Sequence, residues 1–100
     1  MVYLNVVLTV VDSSDIPFVR ASMAELARLA RRDAGCVRFE VYHAQTDPRV
    51  FVLNEWWADD ASLDAHRKTK AFVDVYLAEV VPKAERAPYP CDLLMDAEDV

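Results

Sequence analysis

The sequence predicts one α+β domain whose elements run β-α-β-β-α-β, with helices on one face of an antiparallel sheet. Three observations carry this. The run from Val2 to Val11 is almost wholly apolar and rich in β-branched residues, with Asn5 and Thr9 its polar members. Two later segments, Cys36–Ala44 and Val50–Trp57, are strand-like and flank a turn at Gln45-Thr46-Asp47-Pro48. The stretches after Asp12 and after Asp59 repeat apolar residues at helical spacing.

Composition bounds the rest. A chain of 100 residues is one domain with a modest interior, yet 54% of its residues are apolar. Part of that surplus is expected to meet a second copy of the chain. A net charge of −6 disfavours nucleic acid and anionic membrane surfaces, both of which call for clustered Lys and Arg. Cys36 and Cys91 are the only cysteines and form no metal motif, so reduced thiols in a cytoplasmic setting are expected. The N-terminal run lacks a basic leader and a cleavage site and is too short to span a bilayer, so it reads as a strand.

The near-continuous apolarity of the first strand predicts burial on both faces. Asp12, Ser13, Ser14 and Asp15 supply helix-start chemistry, and Pro17 is tolerated in a first turn. Ile16, Val19, Met23, Leu26, Ala27 and Ala30 then mark an inward stripe as far as Arg32. The single glycine, Gly35, stands where the helix must stop and the chain reverse. In the second strand Val37, Phe39 and Val41 alternate with Arg38, Glu40 and Tyr42. Together with Val50–Trp57 it forms an antiparallel hairpin.

Asp59 and Asp60 are N-cap candidates for a second helix carrying Leu63 and His66. A break near Thr69 precedes Phe72, Val73, Tyr76, Leu77 and Val80, expected on a further apolar face that ends near Pro82. Pro88 and Pro90 extend the chain, and Cys91–Met95 is expected as the last strand. Residues 1–95 thus make the domain, with 96–100 an acidic tail. The order is ferredoxin-like. Its helices cover one face of the sheet, so the other is expected to stack on a partner sheet in a dimeric α/β barrel. In the usual strand order the second and fourth strands are opposite edges, which disfavours a Cys36–Cys91 disulfide.

Several residues could carry chemistry. Asn5 is a polar amide in a core-type strand: either a hydrogen-bonded structural amide, or a donor that holds a ligand oxygen. Trp57 is either a core or interface aromatic, or the floor of a pocket for a flat ring. Glu55 shares a strand face with Phe51, Leu53 and Trp57. It could act as a base with a raised pKa, but pairing with an arginine such as Arg38 is the expectation. His66 falls on the inward side of the second helix, as a packed histidine or a catalytic one. His43, beside the turn, is expected to be solvated. Tyr42 and Tyr76 could orient a phenolic substrate. No Gly-rich phosphate loop, serine elbow or histidine pair at metal spacing occurs.

In this order the motifs resemble the antibiotic biosynthesis monooxygenase family over nearly the whole chain. Gly35-Cys36-Val37-Arg38-Phe39-Glu40 resembles the family's entry to its second strand. Asp47-Pro48 with Phe51-Val52-Leu53-Asn54-Glu55-Trp56-Trp57 is similar to its third. Asp59 to His66 resembles its acidic cap followed by Ala-Leu-x-x-His, and Phe72 fits the aromatic that follows. The resemblance implies a dimeric barrel with a pocket between sheet and helices, in which phenols or quinols are oxidised by O2 without metal or flavin. It assigns Asn5, Trp57 and His66 as catalytic, with Phe51, Leu53, Glu55, Tyr42, Phe72 and Tyr76 expected to bind the aromatic substrate. The chain departs from the family at Ala71, where a second histidine is usual, at Asn54 in place of a tyrosine, and at Ala34 in place of a proline.

The leading expectation is therefore a cofactor-independent monooxygenase acting on a hydroquinone-like phenol. One alternative is a cofactorless isomerase of a small ketone metabolite, for which Arg38 and Lys70 are the evident basic residues. Another is a dimer that binds small molecules without catalysis.

Overall fold

The computed structural model describes residues 1–95; the acidic stretch 96–100 lies outside them. The elements are β1 (Val2–Val10), α1 (Ile16–Ala30), β2 (Cys36–His43), β3 (Val50–Trp57), α2 (Asp60–His66), α3 (Ala71–Val80) and β4 (Ala84–Cys91). The strands form one antiparallel sheet in the order β2-β3-β1-β4. This is the α+β arrangement expected from the element order. β2 and β4 are opposite edges, and Cys36 and Cys91 are free thiols.

The period-2 alternation of a strand sorts β1 into two faces. Leu4, Val6, Leu8 and Val10 are buried beneath the helices, while Tyr3, Asn5, Val7 and Thr9 are half-buried on the other side. A single chain therefore covers one face of β1, not the two that its apolarity predicts. Cross-strand pairing extends the uncovered face to Val52, Asn54 and Trp56 of β3, and to Arg38, Glu40 and Tyr42 of β2. On β4 it continues through Ala87 and Tyr89.

At the start of α1, the Asp12 carboxylate accepts from the Ser14 backbone N–H at 3.0 Å, a side-chain cap that closes a short 3₁₀ turn. Val19, Met23, Leu26, Ala27 and Ala30 of α1 are buried, as their spacing predicts. Gly35 has φ +80°, and a Cβ there would overlap Ser62 of α2. Its carbonyl accepts from Ala58 N–H at 2.8 Å, which ties the exit of α1 to the end of β3. Both the backbone angle and the contact demand glycine.

Three expectations are corrected. A bulge between Cys36 and Arg38 inserts Val37 into β2 and leaves it 52% exposed, while Phe39 is buried. α3 is wound as a π-helix; its end is marked by Val81 N–H bonding to the Tyr76 carbonyl. The wider turn aligns Phe72, Tyr76 and Val80 inward and leaves Val73 and Leu77 exposed. The last strand is Ala84–Cys91, not Cys91–Met95. An edge strand tolerates Pro88 and Pro90 because alternate backbone N–H groups face away from its neighbour.

Candidate active site

Between the sheet and the helices lies a small, partly enclosed cavity of about 10 Å³, room for about one water molecule. Leu4, Leu26, Phe39, Leu53, Leu63 and Phe72 form its apolar wall. Glu55, His66, Arg67, Tyr76 and Arg86 supply the polar groups.

Glu55 and Trp57 are two apart on β3 and so share the covered face. The indole Nε1–H donates to Glu55 Oε1 at 3.0 Å, with both residues buried. Burial pushes the Glu55 carboxyl above the usual carboxylate range, and the Trp57 hydrogen bond and nearby His66 and Arg86 only partly oppose this. The expected partner, Arg38, is on the opposite face, where it pairs with Glu40 and lies 5.1 Å over the Trp56 ring.

His66, the last residue of α2, is 2% exposed. Its Nδ1 lies 2.8 Å from Asp33 Oδ2, in the segment between α1 and Gly35. A carboxylate can only accept, so Asp33 selects the tautomer with the proton on Nδ1 and leaves Nε2 as the basic nitrogen. Aromatic rings fix the imidazole: Trp57 at 4.6 Å, Phe72 at 5.2 Å and Phe39 at 5.7 Å between centroids. Thr69 Oγ1 donates to the His66 carbonyl at 2.8 Å and accepts from Phe72 N–H at 3.3 Å, securing the joint between α2 and α3.

Across the cavity, Arg86 Nε donates to the Tyr76 hydroxyl at 2.8 Å, linking β4 to α3. Burial raises the Tyr76 phenol pKa, and the Arg86 charge offsets part of the rise. Outside the cavity an open, mainly apolar groove of about 350 Å³ runs between α1 and the α2–α3 joint. His66 and Leu26 belong to both linings, while Asp33 and Lys70 belong to the groove alone.

The structure thus gathers Leu53, Glu55, Trp57, His66, Phe72 and Tyr76 of the residues singled out from sequence. It does not gather Asn5, Tyr42 or Phe51. Asn5 and Tyr42 lie on the uncovered face; Asn5 Nδ2 donates to Cys91 Sγ at 3.3 Å and Tyr42 is 51% exposed. At the position before Asn5, Leu4 lines the cavity instead. Phe51 is buried at the far end of β3, stacked 4.1 Å from His43. His43 is engaged, not merely solvated: Arg20 Nη1 lies 2.9 Å from its Nδ1 and the Pro48 carbonyl 2.6 Å from its Nε2. Sequence reasoning missed Asp33, Arg67 and Arg86. Arg86 was hidden by the misplaced last strand, and Asp33 carried no signal beyond its nearness to Gly35.

Among the described residues no group of three His, Cys, Asp or Glu gathers as a metal site, and no helix is long and apolar enough to cross a membrane.

Residues 1–76, from β1 to Tyr76, match the family model for antibiotic biosynthesis monooxygenases. The chain belongs to that family. A solved structure described as an antibiotic biosynthesis monooxygenase superposes with a TM-score of 0.81 at 22% identity, covering 93% of this chain and 99% of its own. A conserved protein from Bacteroides thetaiotaomicron gives 0.83 at 24% identity, covering 92% of this chain and 96% of its own. One from Mycobacterium tuberculosis gives 0.83 at 19% identity over 97% and 99%. At these identities the likeness is one of fold. No curated protein matches the sequence significantly.

Proposed function

We propose that this family member is a monooxygenase that oxidises a hydroquinone-like phenol with O2 and draws all the electrons from the substrate. The observation that carries this reading is His66, held by Asp33 and walled by aromatic rings beside a buried carboxyl and two guanidinium groups. His66 Nε2 takes the phenol proton, and the phenolate is stabilised by Arg86 and Arg67. The electron-rich ring reduces O2; one oxygen atom enters the ring as a quinone oxygen and the other leaves as water. Trp57 orients His66 and packs the reacting end of the site. Phe72 and Tyr76 must yield to admit a ring, because side chains fill all but about 10 Å³ of the cavity.

That filling gives a second reading its support: a dimer that binds a small molecule without turnover. Oxygen uptake with a panel of hydroquinones separates the two. The monooxygenase reading expects uptake that falls about 100-fold in His66→Ala, the scale of a lost general base. Uptake unchanged in His66→Ala overturns the role of His66, and ligand binding with no uptake favours the second reading. An isomerase instead turns over without oxygen; the basic groups lining the cavity are Arg67 and Arg86, not Arg38 or Lys70.

The reading includes a homodimer. Tyr3, Val7, Val52 and Trp56 of the uncovered face, with exposed Tyr42 and Tyr89, suit a second sheet stacked on this one. Free thiols fit a cytoplasmic setting.

A further inference from the structure

We propose that His66 and Asp33 form a proton relay across the wall between the small cavity and the open groove. The inference rests on the monooxygenase reading and adds a residue, Asp33, that the family motifs do not single out. His66 is the one ionisable residue that lines both compartments. Its Nδ1 is spent on Asp33, which lines only the groove and has a side chain 25% exposed there. The nitrogen left to serve the cavity is Nε2.

A proton taken from the phenol by Nε2 is matched by loss of the Nδ1 proton to the Asp33 carboxylate, and Asp33 exchanges it with water in the groove. The phenolate stays behind, facing Arg67 and Arg86. When O2 has accepted the substrate's electrons, protons return by the same path to form water. Phenol plus O2 gives quinone plus water, so the relay stores protons and consumes none. Its advantage is that the substrate is deprotonated in a small, mainly apolar cavity without a file of water inside it, which keeps the local dielectric low around the charge that develops. The ionisable groups around His66 are Glu55 on β3, Arg67 just after α2, Tyr76 on α3 and Arg86 on β4 in the cavity, with Arg32 and Asp33 before β2 and Lys70 before α3 in the groove. Of these, Asp33 alone touches both the imidazole and the groove. Asp33 is a positioning and relay residue; it does not touch the substrate.

Asp33→Asn separates geometry from proton transfer as long as the Nδ1–H tautomer persists, because its amide oxygen accepts from Nδ1–H without taking the proton, whereas its amide N–H donating to Nδ1 would select the other tautomer. Nitrogen-15 NMR of His66 should show the Nδ1–H tautomer in wild type and in Asp33→Asn, with exchange of that proton with solvent slowed about 10-fold in the variant. In Asp33→Ala the tautomer preference should be lost. With a turned-over phenol, Asp33→Asn should lower kcat about 10-fold or more and change KM less than about twofold. Unchanged proton exchange in Asp33→Asn, or kcat within twofold of wild type, overturns the relay. If no phenol is turned over, the monooxygenase reading fails by itself, and the exchange measurement alone decides the relay.

Discussion

Replacing Trp57 with Phe tests the central polar contact of the site, and its cost should depend on pH in a defined direction. Trp57 is fully buried and its indole N–H is a donor to the buried Glu55 carboxyl. The substitution removes about two carbons of packing, roughly 1.5 kcal/mol at about 0.8 kcal/mol per carbon. It also removes a hydrogen bond worth about 1 kcal/mol to a neutral acid and about 2 kcal/mol to a carboxylate. The folded pKa of Glu55 is raised above its unfolded value. Its contribution to stability is therefore fully present below the unfolded carboxyl pKa, about 4.3, and is lost as pH rises through the raised folded value. Trp57 opposes that shift, so removing it raises the folded pKa further and enlarges the penalty at high pH. Urea unfolding followed by circular dichroism, at fixed protein concentration, should show a loss of about 2.5 kcal/mol at pH 4 and about 3.5 kcal/mol at pH 8. For a domain of this size the acid value alone lowers Tm by roughly 10–20 °C. An equal loss at both pH values, or a larger loss in acid, would refute the argument that the contact stabilises the ionised form.

Two further substitutions probe how the site is held. Gly35→Ala places a Cβ in the left-handed region and against Ser62, and should cost about 2 kcal/mol or more in thermal unfolding; adding Ser62→Ala should relieve only the Oγ part of the overlap, because the Cβ of residue 62 stays 2.5 Å away, and none of the backbone share, whereas a Gly35→Ala protein as stable as wild type contradicts the φ of +80°. Tyr76→Phe removes the bond to Arg86 and should cost about 1 kcal/mol. Hydrogen exchange should then quicken in α3 while β1 and β3 stay protected, and uniform quickening would show that the bond is not a local tie of α3 to the sheet.

The sheet and α1 were legible because one local signal dominated each. Alternation set the faces of β3, and the spacing of Val19, Met23 and Leu26 set the buried stripe of α1. What escaped were features fixed by tertiary geometry. The bulge that turns Val37 outward is one added residue in a strand whose alternation is otherwise regular. The π-winding of α3 moves Val73 and Leu77 outward, which an expectation of ordinary helical period could not foresee. Pro88 and Pro90 marked only an extended segment ahead of the expected strand, and the edge position of β4 is what lets the strand itself contain them. Arg86 was lost with that strand. The members on β3, α2 and α3 were visible; those supplied by β4 and the loop before Gly35 were not.

Asn5 shows how a single step of parity decides a role. Its polar side chain in an apolar strand suggests a ligand donor, but a strand side chain at an odd position of β1 projects from the face opposite the even ones. The even face carries Leu4 against Glu55, so the cavity at that level is apolar on β1 and polar on β3. Asn5 instead pairs across the sheet with Asn54, and its amide reaches Cys91 on β4. The cavity is thus faced by Arg86, Tyr76 and His66, while Asn5 stands on the face of β1 away from the helices. In the proposed reaction, polarising the substrate therefore falls to guanidinium charge rather than to a neutral amide. A cationic donor favours a phenolate over a phenol, which is the ionisation that the proposed electron transfer to O2 requires.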